Sequence, residues 1–157
     1  MKQIPLTQGK VSIVDDEDFE IVGRFKWYAL KDGNHFYAVR NKKPSGTGTI
    51  WMHRIIMDCP KGKDVDHINR NGLDNRKGNL RVCTRGENLA NTFTYKNNKS
   101  GFKGVSWYKK RNLWIAHITT NHKGITLGYF KDKYDAAKAY NESSLKYHKE
   151  FSVLNTI

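Results

Sequence analysis

The chain has 157 residues, 38% of them hydrophobic, with a mean hydropathy of −0.75, which fits one ordinary domain or two small ones with thin, aromatic-rich cores. No apolar run approaches bilayer length and Met1-Lys2-Gln3-Ile4-Pro5 does not open a signal peptide, so a membrane span is excluded and a cytoplasmic location expected. The formal charge of +13 is uneven: residues 93–157 carry 12 Lys/Arg against 4 Asp/Glu, and no acid occurs between Glu87 and Asp132, a distribution that attracts a polyanion.

Residues 9–14, 25–30, 36–40 and 48–51 read as short strands, with Asp32-Gly33-Asn34 as a hairpin turn. Asp15 or Asp16 is placed to cap a helix over 17–23, whose first turn is acidic. Residues 44–48 are rich in breakers and read as a mobile loop, and Pro60 ends a short helix over 53–58. Next come a strand over 64–68, a polar loop over 69–78 and a second strand over 80–83. Thr84 and Glu87 have the spacing of a capping box for a helix over 85–91.

Residues 96–100 read as a linker between a unit spanning 1–95 and another spanning 101–157. Three further strands are expected over 104–109, 114–120 and 125–130, with turns at 110–112 and 121–124. Asp132 caps a final helix over 133–147, on which Ala136, Ala137, Tyr140, Ser144 and Tyr147 form one stripe. Small residues in that stripe allow close packing on a sheet. The fold class expected is α+β: short N-terminal strands, the strand–loop–strand–helix segment, then a three-stranded antiparallel sheet packed on one helix. Cys59 and Cys83 stand alone, without the paired spacing of a zinc knuckle, and read as reduced, packed thiols.

The polar segment 65–91 carries the chemistry. Cutting a phosphodiester needs a base for water, positive charge on the phosphoryl oxygens and help for the departing oxygen. His67 suits the base, since imidazole is partly neutral at working pH. Asp66 and Asn88 offer oxygen ligands of the kind Mg²⁺ accepts, and another divalent cation such as Mn²⁺ is an alternative. Asn79 is placed to hydrogen-bond across the loop and hold its shape. Neighbours in a regular strand point to opposite faces, so for Asp66 and His67 to face one ion the strand has to end, twist or bulge there.

Asp66-His67, an Asn twelve residues after the His and another nine residues later resemble the HNH nuclease motif, the ββα-metal fold, in the form found in phage and intron-encoded homing endonucleases. The resemblance implies metal binding by Asp66 and Asn88, His67 as general base and Asn79 as the loop's organiser, with Asn where the motif's name has its last His. Met52-His53-Arg54 also resembles this family, which makes His53 and Arg54 possible accessory residues. The activity implied is a metal-dependent DNA endonuclease, a hydrolase leaving 5′-phosphate and 3′-hydroxyl. A DNA-binding, repressor-like protein with an inactive nuclease site is the alternative, and an RNA-binding basic protein a third reading.

Lys103-Gly104-Val105, Trp114, Leu127-Gly128-Tyr129-Phe130, Ala136-Ala137 and Ala139-Tyr140 resemble the plant ethylene-response-factor, or Apetala-type, DNA-binding domain. That family lays a three-stranded sheet in the major groove, backed by a helix. The partner implied is double-stranded DNA. The basic residues Lys103, Lys109, Lys110, Arg111 and Lys123 are placed to neutralise phosphates, with His117 as a further DNA-binding candidate. Trp107 or Tyr108 packs on sugars or methyl groups, depending on strand register. The family's base-reading arginines align with Ser106, Tyr108 and Thr119, so its target sequence does not carry over. Trp114, Tyr129, Phe130 and Tyr140 are expected to be core. No protein partner is implied, and monomer and dimer stay open.

Overall fold

Gln8 and Gly9 both take positive φ, and the reversal they make folds β1 (Lys2–Pro5) back on β2 (Val11–Val14) in an antiparallel pair. The computed structural model describes residues 1–42, 48–94, 97–121 and 123–157. The loop expected over 44–48 therefore lies outside the described residues except for Gly48, and so does His122 in the last turn. Contacts divide the chain into two compact units, Met1–Arg85 and Gly86–Ile157. The α+β class is as expected from the sequence. Among the described residues no helix is long and apolar enough to cross a membrane.

In the first unit the acidic start of helix α1 (Asp16–Val22) follows β2 directly. Asp15 occupies the N-cap position with extended backbone, yet its side chain makes no cap bond. Its carboxylate instead accepts from the Lys77 backbone N–H at 2.8 Å. The Gly33-Asn34 turn joins β3 (Tyr28–Asp32) to β4 (His35–Asn41), and β5 (Thr49–Trp51) completes a three-stranded antiparallel sheet ordered β3-β4-β5. Helix α2 (Met52–Ile56) leads into the hairpin of β6 (Asp64–His67) and β7 (Leu80–Cys83).

Apolar residues from nearly every element meet in one core: Ile4, Val14, Val22, Trp27, Ala38, Met52, Ile56, Val65 and Leu80. Burying the valine, leucine, isoleucine and methionine side chains among them is worth roughly 1.5–3 kcal/mol each. That core fixes the β6–β7 hairpin to the N-terminal strands. The loop between them is fastened as well: Ile13 N–H donates to Leu73 O at 2.9 Å and Asn75 N–H to Ile13 O at 2.8 Å.

Helix α3 (Arg85–Ala90) begins at the division between the units. Residues 98–101, within or beside the expected linker, are hydrogen bonded into the second unit. Asn98 Oδ1 accepts from Ser100 N–H and Gly101 N–H, and buried Ser100 Oγ lies within donating distance of both Asn98 Oδ1, at 2.6 Å, and Val105 O, at 2.8 Å. The unit is a sheet ordered β10-β9-β8, made of β8 (Val105–Tyr108), β9 (Leu113–Thr120) and β10 (Lys123–Phe130), with helix α4 (Lys133–His148) against one face.

Asp132 caps α4 by accepting from Tyr134 N–H at 2.6 Å. Ala136, Ala137, Tyr140 and Ser144 are buried as the stripe predicts. Tyr147 is not: it is exposed, and the buried aromatic at that end is Phe151, on a 3-10 turn over Lys149–Phe151. The close fit of helix on sheet is clearest at Gly104. Its φ is +72°, and a Cβ there would meet the Tyr140 ring at 2.0 Å.

Candidate active site

β6 and β7 pair in unbroken register, Asp66 opposite Arg81 and His67 opposite Leu80. The ladder stops after His67: Ile68 N–H donates to Asn79 O at 2.8 Å, and Arg70 turns the chain with φ +63°. So the strand ends at His67 as expected, and its pairing with β7 up to that point has no bulge. Neighbours in a regularly paired strand alternate between faces.

On one face Asp66 meets its cross-strand neighbour. Arg81 Nε lies 2.8 Å and Nη2 2.7 Å from Asp66 Oδ2, with the carboxylate buried. On the other face His67 enters a fully buried polar relay. Its Nε2 lies 3.1 Å from Asn75 Oδ1, Asn75 Nδ2 donates to Ser12 Oγ at 2.7 Å, and Ser12 Oγ donates to Leu73 O at 3.1 Å.

The relay has a direction. A carbonyl only accepts, so Ser12 spends its proton on Leu73 and accepts from the Asn75 amide. The Asn75 oxygen then faces the imidazole, which must donate from Nε2. That leaves Nδ1 as the ring's lone-pair nitrogen in the neutral form. Burial is the largest influence on the ring and pushes its pKa below the usual histidine value, while Asn75, Asp66 and Asp74 pull the other way.

Asn79 sits in the loop rather than on the histidine. Its Oδ1 accepts from Asn69 N–H at 3.0 Å, and its Nδ2 donates to Asn69 Oδ1 at 3.0 Å and Asp74 O at 2.8 Å. Arg76 clamps Asp74 at 2.7 Å. The residue that touches the imidazole, Asn75, is one the sequence reading passes over, together with Ser12. Both are polar residues in ordinary-looking contexts, and only the long-range fastening of the loop to β2 buries them. The Asp-Asn-Arg run was the one available signal.

The aromatic wall comes from other elements. The His53 ring lies 5.0 Å from that of His67, and Tyr37 lies 5.9 Å from His67 and 5.5 Å from Trp51. Burial, aided by His67 and Arg54, pushes His53 down to about 3, and its buried Nδ1 has no hydrogen-bond partner among the described residues. Burial together with Asp32 and Asp66 pushes the Tyr37 phenol up. Arg54 closes the loop after α2, donating to Lys63 O at 2.7 Å and Pro60 O at 3.3 Å. Asn88 lies half-buried on α3, in the second unit.

In the second unit, strand register separates the DNA-binding candidates. Val105, Trp107, Trp114, Ala116 and Ile118 lie on the helix side of the sheet, while Ser106, Tyr108, Ile115, His117 and Thr119 lie on the open side. Trp107 packs its ring 5.0 Å from Trp114; Tyr108 is the one on the open face. A bulge between Thr126 and Gly128 reverses the alternation in β10. It turns Phe130 toward the helix and Tyr129 outward, 40% exposed. Tyr129 is therefore a surface residue and not the core residue expected. There it stands 5.5 Å from Tyr108, with Arg111 4.7 Å over its ring. Lys109, Lys110 and Arg111 occupy the exposed β8–β9 turn and Lys123 opens β10. Lys103 Nζ is engaged by the carbonyls of Ala90 and Thr92, where it caps the end of α3.

Residues 51–90 match the family described as HNH endonuclease. Protein 3.8 of Escherichia phage T7 is 44% identical over 64 residues, which are 41% of this chain and 53% of that protein, so the match spans about half the relative's length. An uncharacterised HNH endonuclease of Acanthamoeba polyphaga mimivirus is 30% identical over 158 residues, covering 96% of this chain and 77% of that protein. No solved structure matches. The long match to the mimivirus protein and the family match over the β6–β7 hairpin agree: the chain belongs to the HNH endonuclease family.

Proposed function

We propose that this HNH family member is a homing-type DNA endonuclease that hydrolyses one phosphodiester per event with His67 as general base. The observation that carries the reading is the directed Ser12–Asn75–His67 relay, which holds a neutral imidazole with Nδ1 as its basic nitrogen. His67 takes a proton from water, the water oxygen bonds to phosphorus, and the bond to the 3′ oxygen breaks. The products are a 5′-phosphate and, after protonation of the departing oxygen, a 3′-hydroxyl. In such an in-line displacement the attacking and leaving oxygens lie on opposite sides of phosphorus.

Among the described residues no three His, Cys, Asp or Glu side chains group as a metal site. A donor set of one carboxylate and one amide oxygen fits a hard cation that keeps most of its waters, and it does not fit four-coordinate zinc. Asp66 is the residue of the first unit assigned to hold it, and Asn88 is assigned on the motif's spacing alone. Mg²⁺ or Mn²⁺ bound there would supply positive charge to the phosphoryl and departing oxygens.

We assign duplex binding to the open face of the second unit, in the manner of the Apetala-type domain it resembles. A three-stranded ribbon backed by a helix leaves one face for the major groove. Support comes from Ser106, Tyr108, His117 and Thr119 sharing that face, beside Lys109, Lys110 and Arg111. Trp107 and Lys103 are left out of the surface because each already has a structural partner.

One observation favours the alternative of a DNA-binding protein with an inactive site: the Arg81 guanidinium lies on the carboxylate that would hold the metal. Mobility shift and nicking assays on long duplexes, each with and without Mg²⁺, separate the two. A nuclease shifts DNA and breaks it only with the cation. A pure binder shifts DNA and never nicks it.

A further inference from the structure

Beyond the assigned set, one residue stands against the proposed base without an evident packing reason for its polar atom. Tyr37 enters from β4, paired with Leu30 across the sheet. Its ring is fixed by Trp51 at 5.5 Å, His53 at 6.0 Å and His67 at 5.9 Å. The loop that follows His67 presses on the same ring. A Cβ at Gly72 would come within 2.5 Å of Tyr37 Cδ1 and 2.6 Å of Cε1, closer than any side chain tolerates.

Phenylalanine would satisfy all of those contacts. The hydroxyl is what packing leaves unexplained, since it makes no hydrogen bond to any described residue, and the side chain is only half-buried. It is also a neutral donor, protonated at neutral pH. Hydrolysis calls for such a donor, because negative charge builds on the non-bridging phosphoryl oxygens as water adds. Of the other polar groups near the base, His67 Nε2–H donates to Asn75, Arg81 lies on Asp66, and the unpartnered His53 Nδ1 is buried, whereas the Tyr37 side chain is half-exposed.

We infer that the Tyr37 hydroxyl donates a hydrogen bond to a non-bridging oxygen of the scissile phosphate, which makes Tyr37 a catalytic residue. The inference rests on the nuclease reading above and gives the protein itself a share in stabilising the phosphoryl charge. The proton stays on the phenol throughout; the bond only strengthens as charge develops.

The test is Tyr37→Phe in the full chain, on a duplex whose cleavage position has been mapped with the parent protein. Single-turnover cleavage should slow by about 10²-fold, the usual cost of one such donor. DNA affinity and the thermal unfolding midpoint should match the parent. A phosphorothioate with sulfur at one non-bridging position of the scissile phosphate gives an independent readout. One stereoisomer should slow the parent strongly and slow Tyr37→Phe little further, because sulfur accepts hydrogen bonds poorly. Cleavage by Tyr37→Phe at the parent's rate overturns the inference alone, as does a loss explained wholly by weaker DNA binding or by unfolding. A parent protein that cleaves nothing overturns the nuclease reading and this inference with it.

Discussion

Asn75 Oδ1 stands 3.1 Å from His67 Nε2, and Asn75 is fully buried. The contact fixes which imidazole nitrogen donates and which accepts, and Ser12 fixes the orientation of the amide in turn. In the proposed reaction the base is set by a residue eight positions along the loop, held from behind by a strand near the N-terminus.

Asn75→Ala removes that support. The imidazole N–H and the Ser12 hydroxyl each lose a partner inside the core, at a cost of roughly 1–3 kcal/mol per group. Misplacing a base by about 1 Å costs on the order of 10² in rate. Chemical denaturation should show the stability loss. Below the unfolding transition, kcat should fall about 10²-fold with KM for DNA little changed. A rate that drops only as far as the folded fraction drops would reduce Asn75 to a packing residue.

The basic turn of the second unit predicts a salt effect. Each phosphate neutralised by Lys109, Lys110 or Arg111 contributes about 0.9 to the slope of log affinity against log salt on duplex DNA. Replacing all three by Gln should flatten the slope by nearly three times that amount. Lys103→Ala should leave the slope as it is and lower thermal stability, since its ammonium is bound to the carbonyls of Ala90 and Thr92. Equal slopes for the parent and the triple variant would place the DNA elsewhere.

Gly104→Ala tests the helix-on-sheet packing. The new methyl would meet the Tyr140 ring at 2.0 Å and the His117 carbonyl at 2.7 Å, on a residue with φ +72°. Left-handed backbone at a non-glycine residue alone costs about 1 kcal/mol or more. A fall in unfolding temperature of several degrees is expected. An unchanged unfolding temperature would contradict this packing.

Much of the architecture was legible before the fold was known. The Gly33-Asn34 turn, the span of β7 and the Asp132 cap follow from local chemistry, and the structure has them where spacing put them. Strand β1 was not legible. Its four residues include Pro5, and the strand is held by a single neighbour, a placement in which proline is tolerated. Tyr129 was misread because the bulge before Gly128 shifts β10 by one residue and exchanges its faces.

The candidate site divides along the same line. Asp66, His67, Asn79 and Asn88 are proposed from their spacing within one segment and the resemblance it carries. Ser12 and Tyr37 reach His67's surroundings from β2 and β4, separated in sequence by tens of residues. Asp66 carries a cross-strand consequence that spacing alone did not give: a regular hairpin puts Arg81 opposite it. Pairwise register, set by the core under Val65 and Leu80, decides that partner.

The decisive measurement is strand-break detection on long duplex DNA with purified protein, comparing parent and His67→Ala, with and without Mg²⁺ or Mn²⁺. The parent should make cation-dependent breaks ending in 5′-phosphate and 3′-hydroxyl, and His67→Ala should be roughly 10²–10⁴-fold slower while still shifting DNA in a gel. Breaks made equally well without the imidazole, or no breaks by the parent on any duplex, would contradict a nuclease built on His67.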